Sequence, residues 1–212
     1  MYKMNKNTEP QSHKLKRIFD FTFALLGIVF LFSLFLIISL IILITMPGPI
    51  LFRQQRVGQF GRVFLFNKFR SMRVFKEASR GSFDAGNSSR ITPLGHFLRK
   101  TKLDELPQLF NVLKGDMSIV GPRPEVKYWT EVYPEKWKIV HSVRPGITDN
   151  ASILFRNEEE ILAKSSNPTE TYRNEILPRK LDLYIEYVNN RSFLGDIKVI
   201  FKTIKAVVVG CG

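Results

Sequence analysis

The 212-residue sequence predicts a mainly helical α/β fold with a small β-hairpin or sheet, held at a membrane by one N-terminal helix. Three observations predict it. Residues 21–46 contain no charged side chain, short β-branched and aromatic runs follow from residue 50, and amphipathic stretches fill most of the remainder. Apolar residues are 44% of the chain, enough for a real core and too many for a disordered polymer. Lys and Arg number 32 against 19 Asp and Glu, a net charge of +13. Such a surplus points to a polyanionic partner: nucleic acid, an acidic membrane or a phosphorylated substrate. One cysteine, Cys211, excludes an intramolecular disulfide, and with three histidines it excludes a Cys/His zinc site. The chain reads as cytosol-facing.

The elements follow in order as a tail over 1–15, a membrane helix over 16–49 and a cytoplasmic domain over 50–209. Residues 1–80 carry 13 basic and three acidic side chains, so most of the charge surplus flanks the apolar run. As a helix, that run would be roughly 39 Å long at the usual rise, enough to cross a bilayer. It is too long for a cleaved signal peptide, and no small-residue cleavage site follows it. Lys14, Lys16 and Arg17 precede it, and Arg53, Arg56 and Arg62 follow. The positive-inside bias wants both ends in the cytoplasm, which a bent, re-entrant helix satisfies and a single crossing does not. No proline interrupts the run, which keeps the spanning alternative open. Pro47-Gly48-Pro49 ends it in either case.

Residues 50–56 and 63–69 read as two strands of a hairpin around Val57-Gly58-Gln59-Phe60-Gly61. Residues 77–90, rich in Ser, Gly and Asn, read as a mobile loop. Thr92-Pro93 is a cap and first-turn proline for a short helix ending near Lys100. Leu106, Leu109, Phe110 and Leu113 then fall on one helical face, and Gly115 supplies the stop. Pro107 is tolerated only in the first turn, so that helix begins at about Asp104 or Glu105. Two adjacent carboxylates would therefore stand at a helix N-terminus, where an ionised Asp could attack phosphorus while its neighbour holds a divalent cation. Taken alone, such a pair is more commonly a cap and a first-turn acid. Near the C-terminus, Ile197, Ile200, Phe201, Ile204, Val207 and Val208 form a stripe with Lys198, Lys202 and Lys205 off it. That helix could lie in a membrane interface or pack on the domain.

Four motifs occur in a fixed order: KRIFDF at 16–21, KFRSM at 68–72, LDELPQLFNVLKGDMSIVGPRP at 103–124 and RPGIT at 144–148. Together they resemble the bacterial sugar transferase family, the small monotopic polyprenol-phosphate phosphoglycosyltransferases, in its minimal form. The resemblance implies transfer of a sugar 1-phosphate from a UDP-sugar to undecaprenyl phosphate, with release of UMP and with Mg2+ as cofactor. It also implies a phosphosugar–aspartate intermediate on Asp104, with Glu105 as a metal ligand and Asp196 as an acid near the metal. Arg99 and Lys68 would hold phosphate, Arg144 would border the donor phosphates, and Arg156 matches a family arginine beside the donor. The place implied is the cytoplasmic face of the bacterial inner membrane, at the start of a lipid-linked glycan pathway.

The chain departs from the pattern twice. Ser33-Leu34 stands where the family carries the Ser-Pro pair that bends its membrane helix, leaving Ser33 alone to mark the bend. After RPGIT, Ser152 stands at a usual Gln and both usual glycines are filled, so the sugar is not named by sequence. Lys68, Arg70 and Arg73 also read as contacts to anionic lipid headgroups. A nucleic-acid-binding role is disfavoured, because no helix-turn-helix or RNP-like pattern appears. A non-catalytic scaffold for glycosyltransferases is the remaining alternative, and a homodimer is left open.

Overall fold

The computed structural model describes residues 10–73 and 90–209. Most of the 77–90 stretch expected as a loop, the first nine residues and Cys211 lie outside the described residues. The apolar run is divided between α1 (Pro10–Phe30) and α2 (Phe32–Thr45), which meet at Leu31 with a bend of 62°. Ser33, expected at the bend, lies two residues beyond it with an exposed side chain. No local breaker is needed. Leu31 N–H still bonds Gly27 O and Phe35 N–H still bonds Leu31 O, both at 2.9 Å. The bend follows instead from where each arm is anchored.

Anchoring of α1 is polar as well as apolar. Arg17 donates to the carbonyls of Val112 (2.7 Å) and Leu113 (3.0 Å), satisfying the open end of a helix in the domain. Asp20, buried, accepts the Ile119 N–H at 3.0 Å. Ala24 is fully buried, and Gly27 lets Leu109 approach to 3.3 Å of where a Cβ would stand. The turns from Lys16 to Ala24, expected as part of the membrane helix, therefore dock on the domain. Anchoring of α2 is through Ile38, Ile42 and Met46, packed with Phe69 and Leu98. Arg70, for which lipid headgroups are an alternative reading of the sequence, is buried and donates to the carbonyls of Met46 and Pro47, closing the end of α2. Outward from the pair point Leu26, Val29, Phe30, Leu36, Leu40 and Ile44, all exposed. Among the described residues no single helix is long and apolar enough to cross a membrane, whereas the bent pair passes on length and composition.

The hairpin forms as expected, β1 (Leu51–Val57) pairing antiparallel with β2 (Val63–Phe69) in register from Leu51↔Phe69 to Val57↔Val63. At its tip Gly61 takes a positive φ of 75°. Helix α3 (Pro93–Lys100) is capped by Thr92 Oγ1, which accepts the Gly95 N–H at 3.0 Å. Gly95 is obligatory for close approach, since a Cβ there would stand 1.9 Å from Ser71 O. The acid pair departs from expectation. Asp104 and Glu105 occupy a separate 3-10 turn, Leu103–Glu105, entered through Lys102 at φ 60°. Pro107 follows as the cap of α4 (Gln108–Lys114), which ends at Gly115 with φ 92°. The tighter i→i+3 bonds from Leu106 N–H and Leu109 N–H carry the chain past a proline that has no N–H to give. On α4, Leu109 and Val112 are buried, while Phe110 turns toward Phe35 of α2 at 5.7 Å.

Strand β3 (Ser118–Val120) leads into α5 (Lys127–Thr130) and α6 (Pro134–Val140), and the chain returns as β4 (Gly146–Thr148). β3 and β4 pair in parallel, Ser118 opposite Gly146 and Val120 opposite Thr148. Gly121 and Gly146 cross backbone to backbone, and a Cβ on Gly146 would lie 2.1 Å from Gly121 N. Short helices α7 (Asn150–Leu154), α8 (Glu158–Ala163) and α9 (Pro168–Thr171) then lead to α10 (Leu177–Asn190). A second core of Trp129, Trp137, Tyr172, Leu177, Leu181 and Tyr184 holds this half together.

The last helix, α11 (Phe193–Val209), is rotated from the expected stripe. Asp196 and Val199 face inward, and Thr203 shares a 2.6 Å hydrogen bond with Thr148 of β4. Those inward polar pairs turn Leu194, Phe201 and Ile204 out to the surface beside Lys198, Lys202 and Lys205.

Candidate active site

Four pieces of backbone converge on the acid pair: β2, the end of α3, the first turn of α4 and the loop after β3. That loop is fixed by the RPGIT segment, through Gly121 N–H to Thr148 O (3.1 Å) and Gly146 N–H to Pro122 O (2.9 Å). Arg56 of β1 adds a bond to Pro124 O at 3.2 Å. Arg123, held between its two prolines, then reaches Glu105.

Glu105 is buried and fully engaged. Arg123 donates to both its oxygens, at 3.0 and 2.6 Å, in the two-pronged arrangement that suits a guanidinium. Lys68 Nζ adds 3.0 Å to Oε1, and Gln108 Nε2 adds 3.1 Å to Oε2. Burial by itself pushes this carboxyl up, but Arg123 and Lys68 outweigh it and hold it well below the usual carboxylate range.

Asp104 is in the opposite condition. It is also buried, Lys68 stands 3.6 Å from Oδ2, and Oδ1 has no hydrogen-bond partner among the described residues. Burial pushes its carboxyl above the ordinary value; Lys68 offsets part of that, and the charge of Glu105 adds to it. One acid is therefore locked as an ion, and its neighbour has a buried oxygen without a partner among the described residues and a carboxyl pushed above its ordinary value.

The positive charges around the pair exceed the two carboxylates. Lys68, Lys102 and Arg99 all act on Asp104 electrostatically. Arg99, in the last turn of α3, donates from Nε to Ser71 Oγ (3.0 Å) and from one terminal nitrogen to Glu159 Oε1 (2.8 Å). An anionic group with several oxygens fits this surplus better than a neutral one.

The other expected site residues have partners outside the acid pair. Arg144 is half-buried close enough to Arg17 of α1 for their charges to oppose each other. Arg156 donates to the carbonyl of Ala206 on α11. Asp196, expected near a metal with Glu105, is instead bound by Lys16 Nζ at 2.5 Å and by Tyr187 OH at 2.9 Å. Lys16 also bonds Val120 O at 3.1 Å, so a buried carboxylate and its cation clamp α1 to α10 and α11. Among the described residues no three Asp, Glu, His or Cys side chains are grouped to hold a metal ion. Sequence reasoning missed Arg123, Gln108, Ser71 and Glu159. A lone arginine between two prolines was the available signal for the first.

Comparison with known proteins follows the same outline. The pattern described as Bacterial sugar transferase matches residues 11–210. Galactosyl transferase CpsE of Streptococcus agalactiae is 39% identical over 214 residues, covering 93% of this chain and 43% of the relative. The UDP-glucose:undecaprenyl-phosphate glucose-1-phosphate transferase of Escherichia coli is 37% identical over 194 residues, covering 90% of this chain and 39% of the relative. The chain thus spans less than half the length of these two. Uncharacterized sugar transferase EpsL of Bacillus subtilis is 35% identical over 198 residues, covering 93% of this chain and 89% of the relative. With nearly its whole length matched and its acid pair set among cations, the chain belongs to the bacterial sugar transferase family.

Proposed function

We propose that the protein transfers a sugar 1-phosphate from a UDP-sugar to undecaprenyl phosphate, in two steps through Asp104. The observation that carries this reading is the asymmetry of the acid pair: Glu105 is saturated, whereas Asp104 keeps an oxygen without a partner beside Lys68. In the first step a carboxylate oxygen of Asp104 attacks the sugar-bearing phosphorus. The bond from that phosphorus to the bridging oxygen breaks, and UMP leaves. In the second, a phosphate oxygen of the polyprenyl acceptor attacks the same phosphorus, and the Asp104 carboxylate leaves unchanged. Splitting the transfer avoids holding two mutually repelling phosphate substrates together at the moment of attack. In this reading Lys68 and Arg99 would bind phosphate oxygens, and Arg123 would fix Glu105.

Magnesium fits the same site. It is a hard cation that takes one or two carboxylates and completes its shell with substrate phosphates and water. The unpartnered Asp104 Oδ1 would hold it, and Glu105, whose oxygens are taken up by Arg123, Lys68 and Gln108, would join only on release of the Lys68 contact. Bound there, it would neutralise charge on the diphosphate.

Support for the membrane setting comes from the bent helix pair and the basic residues at both its ends. A re-entrant insertion in the cytoplasmic leaflet would put the acid pair at headgroup level, with the outward face of α11 in the interface. Single cysteines in place of Lys14 and Arg53 are both expected to react with a membrane-impermeant maleimide from the cytoplasmic side only. Reaction of the two from opposite sides would establish a span. For the activity itself, detergent-solubilised protein is expected to release UMP from one member of a UDP-sugar panel, given undecaprenyl phosphate and Mg2+, and to lose that release with EDTA. No release across the panel, with no adduct formed, would favour the scaffold alternative.

A further inference from the structure

Glu159 stands outside the acid pair and is unused by the mechanism above, yet it occupies Arg99. The guanidinium of Arg99 has two unlike partners. Ser71, buried beneath α3, accepts from Nε at 3.0 Å and is locked in place by the close approach of Gly95 to its carbonyl. Glu159 accepts from a terminal nitrogen at 2.8 Å, and its side chain is 67% exposed. The first contact is a fixed support and the second a surface ion pair. Exposed pairs of this kind contribute little and exchange readily with other anions.

Glu159 is delivered by a helix that is itself anchored. The preceding residue, Glu158, pairs with Lys180, which is buried on α10, and Leu162 is buried at the far end of α8. The short helix thus presents one carboxylate to an arginine whose charge reaches Asp104. To a guanidinium, a carboxylate and a phosphate offer the same pair of acceptor oxygens, with the phosphate carrying more charge.

We infer that Glu159 is an internal stand-in for a substrate phosphate: it holds Arg99 oriented and neutralised in the empty enzyme, and it is displaced when a phosphate or diphosphate oxyanion enters. This rests on the reading of Arg99 as a phosphate-holding residue. Glu159 is then a positioning residue that lowers apparent substrate affinity, because only the fraction of molecules with Arg99 released is competent to bind. Removing the competitor recovers that fraction. Binding of substrate also frees the α8 segment from α3.

The test compares wild type with Glu159→Gln and Glu159→Asp in two arms. The first measures the donor concentration that half-saturates the rate of the single UMP burst formed without acceptor, which serves as the donor KM, and the second the KM for undecaprenyl phosphate in full turnover. Glu159→Gln is expected to lower KM in the arm whose phosphate Arg99 binds by about two- to five-fold, with kcat unchanged. Glu159→Asp, which keeps the charge, is expected to fall between. In parallel, amide exchange over 157–164 is expected to quicken when the UDP-sugar or UMP is added to wild type. A KM unchanged in both arms, or raised with a loss of thermal stability, overturns the inference and leaves Glu159 a structural tie. A wild type that releases no UMP and binds no UDP-sugar overturns the reading beneath it instead.

Discussion

With Asp104 as the proposed nucleophile, Asp104→Asn is expected to abolish UMP release, by about 10^4-fold or more, and at the same time to raise the Tm. The first effect follows because an amide oxygen cannot replace a carboxylate as the attacking and leaving group; loss of a covalent nucleophile is among the costliest single changes an enzyme can suffer. The second follows from the same environment. Burial raises the Asp104 pKa above its unfolded value, so its ionised form weighs against the native state. Its contribution to stability is therefore fully present below the ordinary carboxylate range, is lost as pH rises through the raised pKa, and changes no further above it. Asn is neutral throughout, so the variant outlasts wild type at neutral pH, and the difference closes in acid. Calorimetry across pH, beside an activity profile, checks both. The acid limb of the wild-type rate is expected above the usual carboxylate range, since attack requires the ion. A variant no more stable than wild type at neutral pH would mean that Asp104 is satisfied by groups the geometry does not show.

Arg123→Gln has the largest expected effect on stability. It removes both prongs of the fork on Glu105 and leaves a buried carboxylate with Lys68 and Gln108 alone. Breaking one side of a buried ion pair costs about 3 kcal/mol or more, most of it the desolvation of the partner left behind. The pH dependence has a definite sign. Glu105 is held below its unfolded pKa, so its contribution is present above the ordinary carboxylate range and is lost only as pH falls through the depressed value. Without Arg123 the carboxyl moves up, and acid destabilisation begins at a higher pH. Denaturant titrations of wild type and variant at neutral and acidic pH measure both. A loss below about 1 kcal/mol at neutral pH would show Lys68 sufficient to compensate Glu105.

The elements legible in the sequence are those whose causes are local. A cap three residues from its partner at Thr92, a glycine stop at Gly115 and the alternation around a Gly-rich tip each lie within one turn of chain. The acid pair could be named from the motif around it, but not its setting: Asp104 and Glu105 occupy a separate 3-10 turn ahead of α4 instead of its first turn. What escaped depends on residues distant in sequence. The fork from Arg123 requires β3 and β4 to pair across Ser118 and Gly146, and two glycines to cross. The bend at Leu31 comes from docking two arms on different surfaces, so neither Ser33 nor a missing proline decides it. The rotation of α11 is set by Asp196 meeting Lys16 and by Thr203 meeting Thr148, both long-range polar pairs that override the apolar stripe.

The central claim is that Asp104 accepts the phosphosugar before any acceptor is present. Its most direct test is to mix enzyme, Mg2+ and the preferred UDP-sugar with no polyprenyl phosphate, then quench and measure UMP together with the mass of the peptide containing Asp104. The account predicts a burst of about one UMP per active site and a matching sugar-phosphate adduct on Asp104, both missing in Asp104→Asn. UMP that appears only after undecaprenyl phosphate is added, with no adduct at any time, would mean direct transfer between the two substrates and would contradict it.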